Sequence, residues 1–249
     1  MILYGRNAVR EALRGRRAKS VGQVWATHGA AREPWLRDVR VRASTGEEIE
    51  RRCGSCAHQG VCAEAGGYPY VSAAELLAGP EPLVVALDEV QDPQNLGSIC
   101  RTAECAGASG VAIGERRAAE VTPAACKASA GAVEHLRIAR VRNMADFLGH
   151  AREAGCWCYG AAAVIEPEVA RAGDATPARG PIPYDTPDYR GAGVVLVLGS
   201  EGRGLRPRVA KACDQLIALP LRGRVQSLGV SAAAAALLYE ILQNREYAA

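Results

Sequence analysis

The stretch Val194-Val195-Leu196-Val197-Leu198-Gly199-Ser200-Glu201-Gly202-Arg203-Gly204-Leu205 decides the fold. Its first half is an unbroken apolar run. A strand with apolar side chains on both faces has to be covered on both, as in a parallel sheet between helices. Its second half puts three glycines and one carboxylate, Glu201, into six residues. Glycines at a strand end permit positive φ and close approach of a ligand. Such sheets bind ligands beyond the carboxyl ends of their strands. The turn 199–204 therefore reads as one wall of a site for a nucleotide-like ligand, the alternative being a tight turn with a solvated Glu.

Outward from this strand, similar runs at 83–87, 110–113, 136–141, 157–162 and 216–219 alternate with helical patterns at 96–106, 122–131, 144–154, 206–213 and 230–244. The expected architecture is an α/β layered domain over 83–249. One long interruption, 166–191, contains five prolines and reads as a mobile surface insertion. Residues 1–70 read as a smaller α/β unit: a helix at 7–14, a strand at 21–27, a charged helical stretch near 33–41 and a strand around 60–64. Residues 71–82 form the expected linker, with a short helical piece at 73–77.

The net charge of +3 is too small to indicate a polyanion partner, but its distribution is uneven. Residues 1–42 hold ten Lys or Arg against three acids, a balance that suits phosphate contacts as well as a solvated surface. No segment has the pattern of a secretory signal or the length of a membrane helix, so a cytoplasmic protein is expected. Nine cysteines in mostly apolar contexts suggest reduced, packed thiols. Cys53, Cys56, His58 and Cys62 have one half of a zinc pattern without its partner half, and are read as incidental thiols in a loop, with no metal.

Two further loops carry chemistry. Asp92-Pro93-Gln94-Asn95 opens the helix after strand 83–87, and Arg101 follows on that helix. Asn95 is expected to cap it. The loop lacks the glycine pattern of a dinucleotide fingerprint, which argues against an ordinary NAD domain. The third loop, 219–231, offers Ser227, Gly229 and Ser231 at the start of an Ala-rich helix, with Ser231 the expected cap.

Together these loops resemble the three motifs of the SpoU (TrmH-like) family of RNA ribose 2'-O-methyltransferases, in order and spacing. Residues 92–103 match the first motif, 196–205 the second and 217–240 the third. Residues 127–135 are similar to the branch acting on a guanosine of 23S rRNA, and residues 3–13 to the start of its ribosomal-protein-like RNA-binding domain. The resemblance implies a SPOUT-type domain with a parallel sheet and a trefoil knot, S-adenosylmethionine as cofactor, and a homodimer acting on RNA, with no DNA or membrane partner. It implies catalytic or substrate-orienting roles for Asn95, Arg101, Glu201 and Ser227. Donor contacts fall on Gly199, Glu201, Gly202, Ile217, Leu219 and Leu228. One departure stands out: Gly229 occupies the place of an Asn, so the amide is lost or supplied by a neighbour such as Gln226. Action on transfer RNA, and a non-catalytic RNA-binding or assembly role, are the competing expectations.

Overall fold

A computed structural model describes residues 1–162, 180–225 and 227–247. The N-terminal unit contains β1 (Ile2–Tyr4), α1 (Arg6–Ala12), β2 (Val21–Ala26), β3 (Val41–Ala43), α2 (Gly46–Cys53) and β4 (Val61–Ala65). Its sheet runs β1-β4-β2-β3. There follow α3 (Ala73–Leu77), β5 (Leu83–Asp88), α4 (Pro93–Cys105), β6 (Gly110–Gly114), α5 (Pro123–Ala128), β7 (Ile138–Val141), α6 (Met144–Glu153) and β8 (Cys156–Ala161). The chain closes with β9 (Ile182–Pro183), β10 (Gly193–Gly199), α7 (Pro207–Ala212), β11 (Gln215–Ala218) and α8 (Val230–Tyr247).

The second sheet has the order β7-β6-β5-β10-β8-β11-β9, and its paired strands are parallel. The alternation of side chains along each strand divides the core in two. Val85, Leu87, Leu196 and Leu198 pack on one face with α4 and α8 residues such as Leu96, Ile99 and Leu238. Val84, Ala86, Val195 and Val197 pack on the other with Met144, Phe147 and Leu148 of α6. Both faces are covered, which is why the strands carry no polar alternation. The first of these clusters continues without a break into Leu3, Val9, Val24 and Val61 of the N-terminal unit.

β5 and β10 are the neighbours that position the site. From β5 the chain proceeds to β6 on one side, while β10 lies on the other and pairs with it up to Gly199↔Asp88. Their following loops part here, at a topological switch point, and leave a crevice.

Several expectations are corrected. The stretch 33–41 is not a helix: it forms short 3₁₀ turns at Ala30–Arg32 and Pro34–Leu36 and then enters β3. Glu33 gives its turn no side-chain cap, and the β-branched Val39 and Val41 favour extended backbone. The elements β1, α2 and β9 were not expected. The insertion read as mobile falls partly outside the described residues, at 163–179. Its described end is tied down: β9 pairs with β11, Tyr189 is buried, and the Tyr189 N–H donates to Asn244 Oδ1 at 3.0 Å.

Candidate active site at the ends of β5 and β10

Pro93 opens α4, and the Asp92 carboxylate caps it by accepting from the Gln94 N–H at 2.9 Å. Asp92, not Asn95, is therefore the cap. Asn95 lies inside the first turn, where its amide is not needed for capping, and Nδ2 donates instead to Glu201 Oε1 at 2.9 Å. That bond joins the helix after β5 to the turn after β10.

The turn itself is closed by Ser200 and Gly204, whose N–H and carbonyl groups bond reciprocally at 2.9 and 3.1 Å. Gly202 and Gly204 have φ of +79° and +64°, where a Cβ is penalised. A Cβ on Gly199 would lie 2.1 Å from the Gly204 carbonyl carbon, so only glycine fits. The far end is fixed by Arg206. Its backbone N–H and Nε donate to the two oxygens of the fully buried Asp88 at 2.9 and 2.8 Å. The hydrogen bond to Asp88 raises the Arg206 pKa further, against the opposing effect of burial.

The open cleft between α4 and this turn has a volume of about 370 Å³ and is lined by Glu89, Val90, Gln91, Asp92, Asn95, Ser200, Glu201, Arg203 and Val230. This lies within the size range of small-molecule sites, about 300–1,000 Å³. A smaller cavity of about 140 Å³ adjoins it through Glu89 and includes Arg116, Arg117, Arg142 and Arg206. Glu89 (φ 58°) and Arg117 (φ 53°) both hold left-handed backbone and pair at 3.3 Å.

The other candidate residues are dispersed. Arg101 is exposed on α4 and does not line the cleft. Six residues beyond Asn95 at 3.6 per turn, it points about a third of a turn away around the helix. Ser227 is exposed, and its Oγ accepts from the Gly229 N–H at 3.2 Å. Leu228 is exposed and Leu219 half-buried. Ile217 is fully buried in β11, with its carbonyl accepting from the Ala162 N–H at 2.9 Å. Ser231 is not the cap of α8, because the helix already begins at Val230 and Gly229 precedes it with φ +81°. Gln226, the neighbour considered for the missing amide, lies outside the described residues.

Sequence reasoning missed Asp88, Glu89, Arg203, Arg206 and Val230. The signal for Asp88 was available, as a carboxylate at the end of an otherwise apolar strand. Among the described residues no three His, Cys, Asp or Glu gather as metal ligands, and no helix is long and apolar enough to cross a membrane.

A parallel sheet with a cleft at its switch point, bridged by an Asn–Glu pair and walled by a tight glycine turn, is the place where ligand-binding α/β proteins hold their ligands. Comparison with known proteins makes this specific. The SpoU rRNA methylase family matches residues 82–239, and the RNA 2'-O ribose methyltransferase substrate-binding family matches residues 2–71. The chain belongs to the SpoU rRNA methylase family. It is 34% identical to the putative TrmH family tRNA/rRNA methyltransferase YacO of Bacillus subtilis, across 98% of this chain and 95% of that one. Similarity to the 23S rRNA (guanosine-2'-O-)-methyltransferase RlmB of Pseudomonas putida is also 34%, across 98% and 96%. Among solved structures, an AdoMet-bound rRNA methyltransferase from Sinorhizobium meliloti superposes with a TM-score of 0.74 at 26% identity, covering 96% of this chain and 85% of that one.

The protein is thus an RNA methyltransferase, and S-adenosylmethionine is its cofactor. The residues present fit that group. The cleft is large enough, and its lining joins polar groups of the glycine turn, Ser200, Glu201 and Arg203, to the apolar Val90 and Val230.

Proposed function

We propose that this enzyme methylates a ribose 2'-hydroxyl of ribosomal RNA, with a guanosine of 23S rRNA as target, in the cytoplasm. The observation that carries the reading is the Asn95–Glu201 hydrogen bond in the cleft. The match of residues 2–71 to a 2'-O ribose methyltransferase substrate-binding family and the similarity to RlmB support the substrate. In this reading residues 1–70 bind RNA, 71–82 connect, and 83–249 form the donor-binding domain, with α8 and the turn 199–204 belonging to a knotted C-terminal segment.

S-adenosylmethionine, when bound, supplies an electrophilic methyl group. By the family resemblance Gly199, Glu201, Gly202, Ile217, Leu219 and Leu228 would hold it, mainly through backbone groups; of these Glu201 lines the cleft itself. The chain must align the ribose oxygen and take up its proton. Because Asn95 donates to Glu201 Oε1, Asn95 Oδ1 and Glu201 Oε2 are left as acceptors for a hydroxyl. Asp92 is engaged as a helix cap and Glu89 with Arg117 and Arg206. Glu201, whose partner is the Asn95 amide and which is not used as a helix cap, is the proton acceptor in this scheme. Arg101 grips RNA phosphate through its guanidinium fork. Ser227 orients the ribose.

Arg101 lies outside its own chain's cleft, and Val225, Leu228 and Tyr239 are exposed apolar side chains around α8. A homodimer joined near α4 and α8 accounts for both, with Arg101 completing the cleft of the second copy. The test is transfer from labelled donor to total RNA followed by mapping of the modified ribose. Methyl groups confined to transfer RNA would move the enzyme to that substrate, a reading that the tRNA/rRNA description of YacO keeps in view. Donor binding without transfer to any RNA would favour an assembly protein.

A further inference from the structure

We infer that the segment 123–136 is a rigid seat fixing the N-terminal unit against α4, and that the buried Arg17–Glu134 pair makes that unit a ruler that selects the nucleotide entering the cleft. The inference rests on the RNA-methylation reading above. Arg17 and Glu134 are 117 residues apart, and their side chains are 1% and 0% exposed. Arg17 Nε donates to Glu134 Oε2 at 2.9 Å, and Nη2 to Oε1. The Arg16 N–H donates to the Glu134 carbonyl at 2.9 Å. The guanidinium of Arg17 lies 5.5 Å above the ring of Tyr68. Tyr68 Oη in turn is 2.8 Å from both the Val133 and Leu136 carbonyls, sharing its one proton between them.

The rim of the seat is polar. Lys127 Nζ donates to Gln59 Oε1 at 2.7 Å, and His135 Nε2 meets Glu11 Oε2 at 3.0 Å. Gln59 (φ 55°) and Ala130 (φ 51°) both hold left-handed backbone without being glycine, and strain of this kind collects at functional positions. Backbone approach is equally close. A Cβ on Gly15 would lie 2.6 Å from the Glu134 carbonyl oxygen, and one on Gly131 2.6 Å from Glu11 Cβ.

The other side of the segment touches the catalytic helix. A Cβ on Gly97, two residues after Asn95, would lie 2.5 Å from Ala128 Cβ and 2.7 Å from the Ala125 carbonyl. The N-terminal unit, the seat and α4 are therefore one packed body, continuous with the core around Leu96 and Ile99. A buried ion pair is weak as a source of stability; the role inferred for this one is to fix orientation, through two donors of Arg17 on the two oxygens of Glu134. Fixed geometry matters here, since a displacement of about 1 Å at a reacting centre costs about 10²-fold in rate.

The test uses the full chain with Arg17→Met and Glu134→Leu combined, which removes both charges at similar volume. It is assayed beside the unaltered chain on a long ribosomal RNA fragment and on a short RNA holding little more than the target. The expected result for the paired variant is unchanged donor binding by calorimetry and turnover on the short RNA within about twofold. On the long RNA, KM or off-target methylation rises about tenfold, a shift of about 1.4 kcal/mol. A folded paired variant with unaltered KM and site choice on the long RNA overturns the ruler. Hydrogen exchange on the unaltered chain tests the seat without RNA: the Arg16 amide is expected to be protected like the core, and fast exchange overturns the seat. Failure of the unaltered chain to methylate any RNA would instead remove the proposed function, with the exchange result still deciding the seat.

Discussion

Gly229 breaks the motif, yet its backbone explains why the break is tolerable. With φ +81° and nothing within 4 Å of where a Cβ would stand, it occupies the left-handed region that Gly and Asn both adopt. Exchanging one for the other keeps the turn and removes only an amide. Gly229→Asn is therefore expected to fold normally and to bind donor up to about tenfold more tightly, the worth of about one hydrogen bond, as read by calorimetry. Gly229→Ala is expected to cost about 1–2 kcal/mol in denaturant unfolding, because it adds a Cβ at positive φ. Glu201 is the second residue on which the chemistry turns. Glu201→Gln keeps the size and the bond to Asn95 but abolishes proton uptake, and should lower single-turnover transfer by about 10²–10⁴-fold. An unchanged rate would eliminate Glu201 as acceptor.

At the scale of elements, the strands of the large sheet were legible because burial on both faces writes a continuous apolar run. β10 is the clearest case, with Val194–Leu198 buried throughout. Two of the elements that escaped have little buried surface, and β1, though Leu3 is fully buried, is only three residues long. α2 buries only Ile49, so it has almost no apolar period, although its cap signal Thr45-x-x-Glu48 was present. β9 is two residues long and is recognised only through its partner β11. In the candidate site, Glu201 and Asn95 were found from loop composition, but their contact spans 106 residues and no local pattern encodes it. The caps also predict a pH response. Hydrogen bonds from Ser44 Oγ and the Thr45 N–H hold Glu48 below the usual carboxylate range, and those from the Ser72 N–H and Oγ do the same for Glu75. A depressed folded-state pKa gives stability that is present above the unfolded pKa, about 4.5, and lost as pH falls through the folded one. Tm should therefore drop below about pH 4.5, and Glu48→Gln with Glu75→Gln should flatten that part of the profile while lowering Tm at neutral pH.

For the whole molecule, the uneven charge of the sequence resolves into two uses. Arg17, counted with the phosphate-facing residues by position alone, is buried with Glu134, and Arg6 and Arg10 pair with Glu33 and Glu11. Arg14, Arg16, Lys19, Arg32, Arg37, Arg40 and Arg42 have no ion pair among the described residues, so the N-terminal unit keeps a basic surface. The small cavity beside the cleft extends this basic character toward the chemistry. Arg206 and Arg117 in it are held by Asp88 and Glu89, whereas Arg116 and Arg142 are exposed and have no acidic partner among the described residues. A strand of RNA bound by the N-terminal unit and entering the cleft would meet these two side chains next to the reacting ribose. Arg116→Ala combined with Arg142→Ala should weaken RNA binding and reduce the slope of log affinity against log salt by about two phosphate contacts, roughly 0.7–0.9 each. Donor binding should be unaffected, since neither residue lines the larger cleft. Filter-binding titrations across a salt series measure the slope, and a double variant with the wild-type slope would show that the RNA path runs elsewhere.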